Sequence, residues 1–238
     1  MGHKASMIIV HRPSTLLPEE ALLEHLELND LIFRGTTTMD SCIYPGDKSV
    51  SIGYFNDNIV ICEDYLLTTS LEITDDPVTL AGYEQTLTAL FPGCEILTVA
   101  CHSSVNYHLY SLARDGKRIR FKRVIASGPI LEHGMRLPEE EPIYASSRVI
   151  EGKRFFETRR LDHTTHAVTE DQLMEDFAFG VAKRHLGVMI SSGEEDELMF
   201  GTPFKKFTKA PPAVPVKKVA ARPWWRFWSP TAQVLEHH

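Results

Sequence analysis

The sequence predicts an α+β fold: a largely antiparallel sheet built from hairpins, about three packed helices and an extended C-terminal tail. Two hairpin signals lead to this prediction, since Asn56-Asp57 and Asp115-Gly116 each separate two runs of alternating apolar residues. Strands and helices do not alternate regularly along the chain, so a parallel sheet is not expected.

The turn at residues 56–57 sets the register of the first hairpin. It places Tyr54 opposite Ile59 and Ile52 opposite Ile61, which gives the hairpin one apolar face. Residues 7–11 and 95–101 are predicted to be further strands. The second of these is mostly apolar, which is typical of a central strand buried on both faces.

The turn at residues 115–116 places Leu112 opposite Ile119 and Tyr110 opposite Phe121 in the second hairpin. The other face then carries three cations: Arg118, Arg120 and Lys122. Like charges in a row repel one another unless an anion or an acidic partner lies near. We therefore interpret these three residues as a candidate anion-binding face. The alternative is an exposed face whose charges are solvated or paired with Glu side chains of a neighbouring strand.

Three helices are predicted from their start and stop signals. One opens at Pro18, and a second has Asp76 as its N-cap. The third begins at Thr169, forms a capping box with Gln172 and ends at Gly187.

The charge distribution divides the 238 residues into a body and a tail. Residues 1–202 hold 18 basic and 31 acidic residues, a net charge of −13, and are predicted to form a single α+β domain. Residues 203–234 are predicted to be a basic, Pro- and Trp-rich tail with seven cations. Residues 235–238 resemble a tag remnant, and residues 1–6 are either vector-derived or native.

All three tryptophans of the chain lie in one run of the tail: Trp224, Trp225, Arg226, Phe227 and Trp228. A globular domain normally uses Trp in its core, so the run is predicted to bind a partner. Docking into an apolar groove, on the same chain or a neighbouring subunit, matches both the aromatic rings and the acidic body. Membrane contact is the less favoured alternative. Specific nucleic-acid binding is not expected, because the body is acidic.

Other motifs give weak evidence for chemistry. Cys101-His102 lies at the end of a predicted strand, where neighbouring side chains point to opposite faces and cannot pair. His163 and His166 are spaced as potential metal ligands, but a surface loop is preferred, and neither a metal nor a cofactor is predicted. The Glu run 139–141 is interpreted as solvated. The four cysteines have no CxxC spacing and are interpreted as reduced thiols.

Three segments carry a family resemblance: the hairpin 54–64, HSSVNY at 102–107, and GPILEHGMRLPEEEPIY at 128–144. They are similar to segments of an uncharacterised bacterial family, a domain of unknown function. The resemblance implies a bacterial, cytoplasmic, single-domain body and carries over no catalytic residue.

Together these observations favour a non-enzymatic cytoplasmic protein that self-associates or binds another protein through its tail. An enzyme or anion-binding protein that uses the cationic strand face is the first alternative. A peripheral membrane protein anchored by the tail is the second.

Overall fold

The computed structural model describes residues 4–44, 46–126, 128–159, 165–190 and 201–210. The strands in these ranges are β1 (Lys4–Val10), β2 (Leu31–Thr38), β3 (Val50–Phe55), β4 (Asn58–Glu63), β5 (Ile96–His102), β6 (Tyr107–Arg114), β7 (Lys117–Ile125), β8 (Leu131–His133), β9 (Ser147–Ile150), β10 (Lys153–Arg159), β11 (Thr165–Thr169) and β12 (Pro203–Lys209). The helices are α1 (Glu19–His25), α2 (Met39–Ile43), α3 (Thr69–Glu72), α4 (Gly82–Leu90), α5 (Glu141–Ala145) and α6 (Met174–Leu186). The α+β fold class is confirmed.

A nine-stranded antiparallel sheet forms the centre of the protein, in the order β2-β12-β3-β4-β1-β5-β6-β7-β8. Helices α1, α3 and α4 pack on one face, and α2, α5 and α6 pack on the other. A smaller sheet, β11-β10-β9, contributes Phe156 to the α6 face. Strand β1 shows why both faces are buried, because Met7 and Ile9 point to one core and Ile8 and Val10 to the other.

The first hairpin has the predicted register. Tyr54 pairs with Ile59 and Ile52 with Ile61. The two turn residues have φ values of 49° and 62°, as a type I′ turn requires. The predicted central strand at 95–101 is also confirmed as β5, which lies between β1 and β6.

The register predicted for the second hairpin is wrong beyond the first two pairs. Ala113 pairs with Arg118 as the turn requires, but Leu112 then pairs with Arg120, so Ile119 is an extra residue in a β-bulge. The bulge moves the following side chains to the other face. Arg118 therefore lies on the α4 face, whereas Arg120 and Lys122 lie on the α6 face.

Helix α6 follows the predicted signals. The backbone N–H of Thr169 donates to Gln172 Oε1 at 3.0 Å, a single turn of 3-10 helix follows, and Gly187 ends the helix with a φ of 74°.

The helix predicted from Asp76 begins later than expected, at Gly82. The Asp76 carboxylate accepts a hydrogen bond from the backbone N–H of Val78 at 2.8 Å, which favours a local turn over a helix. Glu84 instead accepts the N–H of Ala81 at 2.8 Å and so stabilises the true helix start.

The predicted tail begins too early in the chain. Residues Pro203–Lys209 form β12, which lies inside the sheet between β2 and β3 and buries Phe204 and Phe207 on opposite faces. Three of the cations assigned to the tail pair with the body there: Lys205 with Glu19, Lys206 with Asp47 and Lys209 with Asp30. The segment Trp224–Trp228 lies outside the described residues. Within the described ranges, no helix has the length and apolar content needed to cross a membrane.

Candidate functional site: a groove between α5 and α6

A groove of about 700 Å³ runs between α5 and α6 on the outer side of the α6 core. Its apolar lining comes from Pro142, Ile143, Phe179, Met189 and Ile190. A volume of this size is typical of sites that bind small molecules or large side chains. The groove is therefore suited to an apolar group such as an aromatic ring.

Charged side chains surround this apolar lining. Glu139, Glu175 and Asp176 contribute carboxylates, and Lys183 and Arg184 contribute cations. Arg184 is held by Glu139 at 3.0 Å and by Glu95 at 3.1 Å. Burial, followed by the charge of Glu175, raises the pKa of Asp176. The groove thus combines an apolar lining with a rim of three carboxylates and two cations, and the lining favours an aromatic ligand.

One wall of the groove is fixed by a cation of β7. Arg120 donates from Nε to Glu140 Oε2 at 3.0 Å and from Nη2 to Glu140 Oε1 at 2.8 Å. Tyr110 also donates to Glu140, at 2.5 Å. Because Glu140 directly precedes α5, this pair holds the α5 wall against the sheet.

Lys122 of β7 also contacts α5, the same wall of the groove. Its Nζ lies 2.6 Å from the hydroxyl of Tyr144 on α5, 2.5 Å from Glu170 Oε1, and 3.8 Å from the ring centre of Phe177. Burial outweighs the attraction of Glu170 and lowers the pKa of Lys122. The pKa of Glu170 is lowered as well, since hydrogen bonds from Lys122 and Tyr144 outweigh its burial.

Arg118 acts on the opposite face of the sheet. It donates to the buried carboxylate of Glu84 on α4, and its guanidinium lies 4.8 Å from the ring centre of Phe121. Arg118, Arg120 and Lys122 therefore do not form one cationic face, and each is paired with a carboxylate. Anion binding by these residues stays a prediction, and their buried pairing does not favour it.

The interpretation of residues 139–141 as a solvated charge run is corrected at its middle position. Glu140 is fully buried, whereas Glu141 is exposed. The backbone N–H of Leu137 donates to Glu140 Oε2 at 2.5 Å, so a tight turn directs this one carboxylate inward. The flanking Pro138 and Pro142 were the only sequence signal of such a turn.

The weaker motif Cys101-His102 lies at the end of β5. His102 Nδ1 lies 2.9 Å from Ser104 Oγ, and Cys101 is fully buried, which raises the pKa of its thiol. His166 lies on β11, while His163 is outside the described residues. Across the part of the chain that the structure describes, no group of three or more metal-binding side chains comes together.

No protein-family model, curated protein or solved structure matches this chain. The resemblance to an uncharacterised bacterial family therefore stays a prediction.

Proposed function

We propose that this protein is non-enzymatic and self-associates, with the aromatic-basic segment Trp224–Trp228 of one copy bound in the α5–α6 groove of a second copy. The observation that supports this proposal best is the groove itself, which has an apolar lining large enough for an aromatic side chain. Indole and phenyl rings fill apolar pockets with large buried areas, and they commonly anchor interfaces.

The groove rim holds carboxylates that can pair with the cations of the tail. Once β12 is assigned to the sheet, four cations remain in residues 211–230: Lys217, Lys218, Arg222 and Arg226. The groove rim holds Glu139, Glu175 and Asp176 together with two cations, Lys183 and Arg184. Complementary charges speed association and select the partner, while burial of the aromatic rings supplies most of the affinity.

The position of β12 makes an exchange between copies feasible. Its last residue, Lys209, pairs with Leu31 on β2 and is exposed, so the chain that follows β12 begins at the protein surface. Residues 211–223 reach about 40 Å when extended, at about 3.1 Å per residue. In a two-fold dimer each tail occupies the other copy's groove, so every favourable contact occurs twice.

We place this assembly in the bacterial cytoplasm. The support is indirect: the family resemblance implies it, and all four cysteines are free thiols, as is usual in a reducing compartment. A peripheral membrane role and an anion-binding or enzymatic role are the competing proposals.

Light scattering tests the assembly. The full chain is compared with a chain ending at Ala210, which retains β12, and with a chain in which Trp224, Trp225 and Trp228 are all replaced by Ala. We expect both variants to fall from the mass of an oligomer to that of a monomer. An unchanged mass in either variant would overturn the proposal.

Fluorescence locates the tail, because the chain has no other tryptophan. We expect Ile143→Arg, which places a cation in the groove, to shift the emission toward that of free tryptophan and to lower the mass. Ile150→Arg, at a half-exposed position on β9 outside the groove lining, should change neither. A monomer with shielded tryptophans would mean that the tail binds its own groove, and self-association would be rejected.

A further inference from the structure

Two arginines from separate segments meet at one aromatic ring. The guanidinium carbon of Arg136, between β8 and α5, lies 3.4 Å from the ring centre of Tyr144. The guanidinium carbon of Arg154, on β10, lies 5.5 Å from the same centre. The two carbons are therefore no more than about 9 Å apart, the range over which two arginines can donate to one phosphate group.

The ring of Tyr144 is a fixed support for the first arginine. It is 6% exposed, its centre lies 5.1 Å from that of Phe177, and its hydroxyl accepts a hydrogen bond from Lys122 at 2.6 Å. A separation of 3.4 Å is that of a guanidinium stacked on the ring through its face. The stacking leaves the N–H edge of the exposed Arg136 side chain free to bind a ligand.

The second arginine is positioned by the small sheet. Residues 154 and 156 lie two apart on β10, so their side chains point to the same side, and the Phe156 ring centre lies 5.7 Å from that of Tyr144. Arg154 also donates from Nη1 to Ser147 Oγ of β9 at 2.8 Å. Strand pairing and this hydrogen bond thus direct the half-buried Arg154 side chain toward the ring.

No carboxylate neutralises the two arginines directly. The carboxylate of Glu170 is held by Lys122 at 2.5 Å, and that of Glu132 by Arg120 at 2.8 Å. Glu170 acts on Arg154 only at longer range. Among the described residues, neither guanidinium at the Tyr144 ring forms an ion pair with a carboxylate. Neighbouring cations repel one another, and an anion bound between them would remove this repulsion.

We propose that Arg136 and Arg154 bind a phosphate group, with Tyr144 as the support that fixes the first guanidinium. Two planar groups with several N–H donors each match the oxygens of a phosphate better than point charges do. These three residues are not part of the lining of the α5–α6 groove, so the site is independent of the proposed self-association.

Exposed apolar side chains flank the two arginines. Val149 pairs with Arg154 across the β9–β10 ladder, so the two side chains share a face, and Met135 directly precedes Arg136. An organic group attached to the phosphate can contact such side chains. We therefore expect a small phosphate monoester to bind more tightly than inorganic phosphate.

Titration of the full-length protein, followed by ³¹P NMR at constant ionic strength, tests the site. Inorganic phosphate and phenyl phosphate are the two probes. We expect saturable binding with a Kd below about 10 mM. Tighter binding of phenyl phosphate would identify a monoester as the ligand, equal binding would identify the free ion, and both results would support the site. Failure of both probes to saturate would overturn the proposal.

Three variants separate this site from general attraction of anions. We expect Arg136→Gln and Arg154→Gln each to weaken binding at least about tenfold, because each removes charge-assisted hydrogen bonds. Arg148→Gln is the matched control, since Arg148 lies on β9 but is exposed and paired with Glu157, and it should bind like wild type. Equal weakening in all three variants would overturn the proposal, as would wild-type binding by Arg136→Gln.

Discussion

Arg120 and Glu140 form a buried, two-pronged ion pair between β7 and the turn before α5. Their side chains are 1% and 0% exposed, and both guanidinium–carboxylate hydrogen bonds are 3.0 Å or shorter. The pair joins the central sheet to one wall of the α5–α6 groove. Its loss would therefore affect both the stability of the protein and the shape of the groove.

Breaking this pair from one side should be costly. We expect Glu140→Ala to lower the free energy of unfolding by about 3–5 kcal/mol, because the Arg120 guanidinium would stay buried without this carboxylate. Urea denaturation measures the change. Glu132→Gln is the matched control, since Glu132 also pairs with Arg120 at 2.8 Å but is half-exposed, and its loss should cost about 1 kcal/mol or less. Equal losses in the two variants would contradict the assigned role of Glu140.

The assignment of β12 to the sheet predicts a large effect at Phe204. This ring is 1% exposed and covers Gly53 of β3, where an added Cβ would lie 2.5 Å from it. We expect Phe204→Ala to lower the free energy of unfolding by about 3–5 kcal/mol. Lys209→Ala, on the same strand but in an exposed pair with Asp30, should cost about 1 kcal/mol or less. A small effect of Phe204→Ala would contradict the assignment of β12 to the sheet.

The bulge at Ile119 constrains Gly134. This glycine has a φ of 83°, and an added Cβ would lie 1.9 Å from the carbonyl oxygen of Ile119. We expect Gly134→Ala to cost at least about 2 kcal/mol, because it adds a clash with backbone to a strained φ. Gly116 has a similar φ of 71°, but an added Cβ would meet open space there. Gly116→Ala should therefore lower the free energy of unfolding by only about 1 kcal/mol. Thermal unfolding compares the two, and equal melting temperatures would refute the close approach.

His185 should make the protein sensitive to acid. Its side chain is 1% exposed, and its ring stacks on that of His11 with the ring centres 4.3 Å apart. Burial, then the charge of His11, lowers the pKa of His185 to about 4, even though Glu95 lies 3.3 Å away. In the unfolded chain the pKa is about 6.5, so the unfolded state binds the proton more readily. The stabilisation is complete above about pH 6.5 and is lost as the pH falls toward 4, by about 3 kcal/mol in total.

Unfolding free energies measured between pH 7 and pH 4 check this expectation. The loss of unfolding free energy between pH 7 and pH 4 should be about 3 kcal/mol smaller in His185→Gln than in wild type. His25→Gln, at an exposed position, should behave like wild type. Parallel curves for wild type and His185→Gln would show that this histidine is not the titrating group.

Local signals predicted the elements that depend on local physics. The 56–57 turn set the first hairpin because two residues with positive φ leave a single register. Thr169, Gln172 and Gly187 marked α6 because capping acts within one turn of a helix. The mostly apolar β5 indicated a strand covered on both faces.

Features that depend on distant partners were missed. Strand β12 was assigned to the tail because its pairing partners, β2 and β3, lie more than 140 residues away in sequence. The bulge at Ile119 was missed because its benefit, the pairing of Arg118 with Glu84, comes from a helix on another part of the chain. The Glu140 carboxylate was read as solvated for the same reason.

The sequence by itself determined the α+β class, one hairpin register, the last helix and the clustering of every tryptophan near the C-terminus, since each follows from residue order and short-range geometry. The tertiary structure alone decided where the buried charges point and where the groove opens. Those features need side chains from separate segments to be brought together, and their free energies depend on burial that no single segment provides.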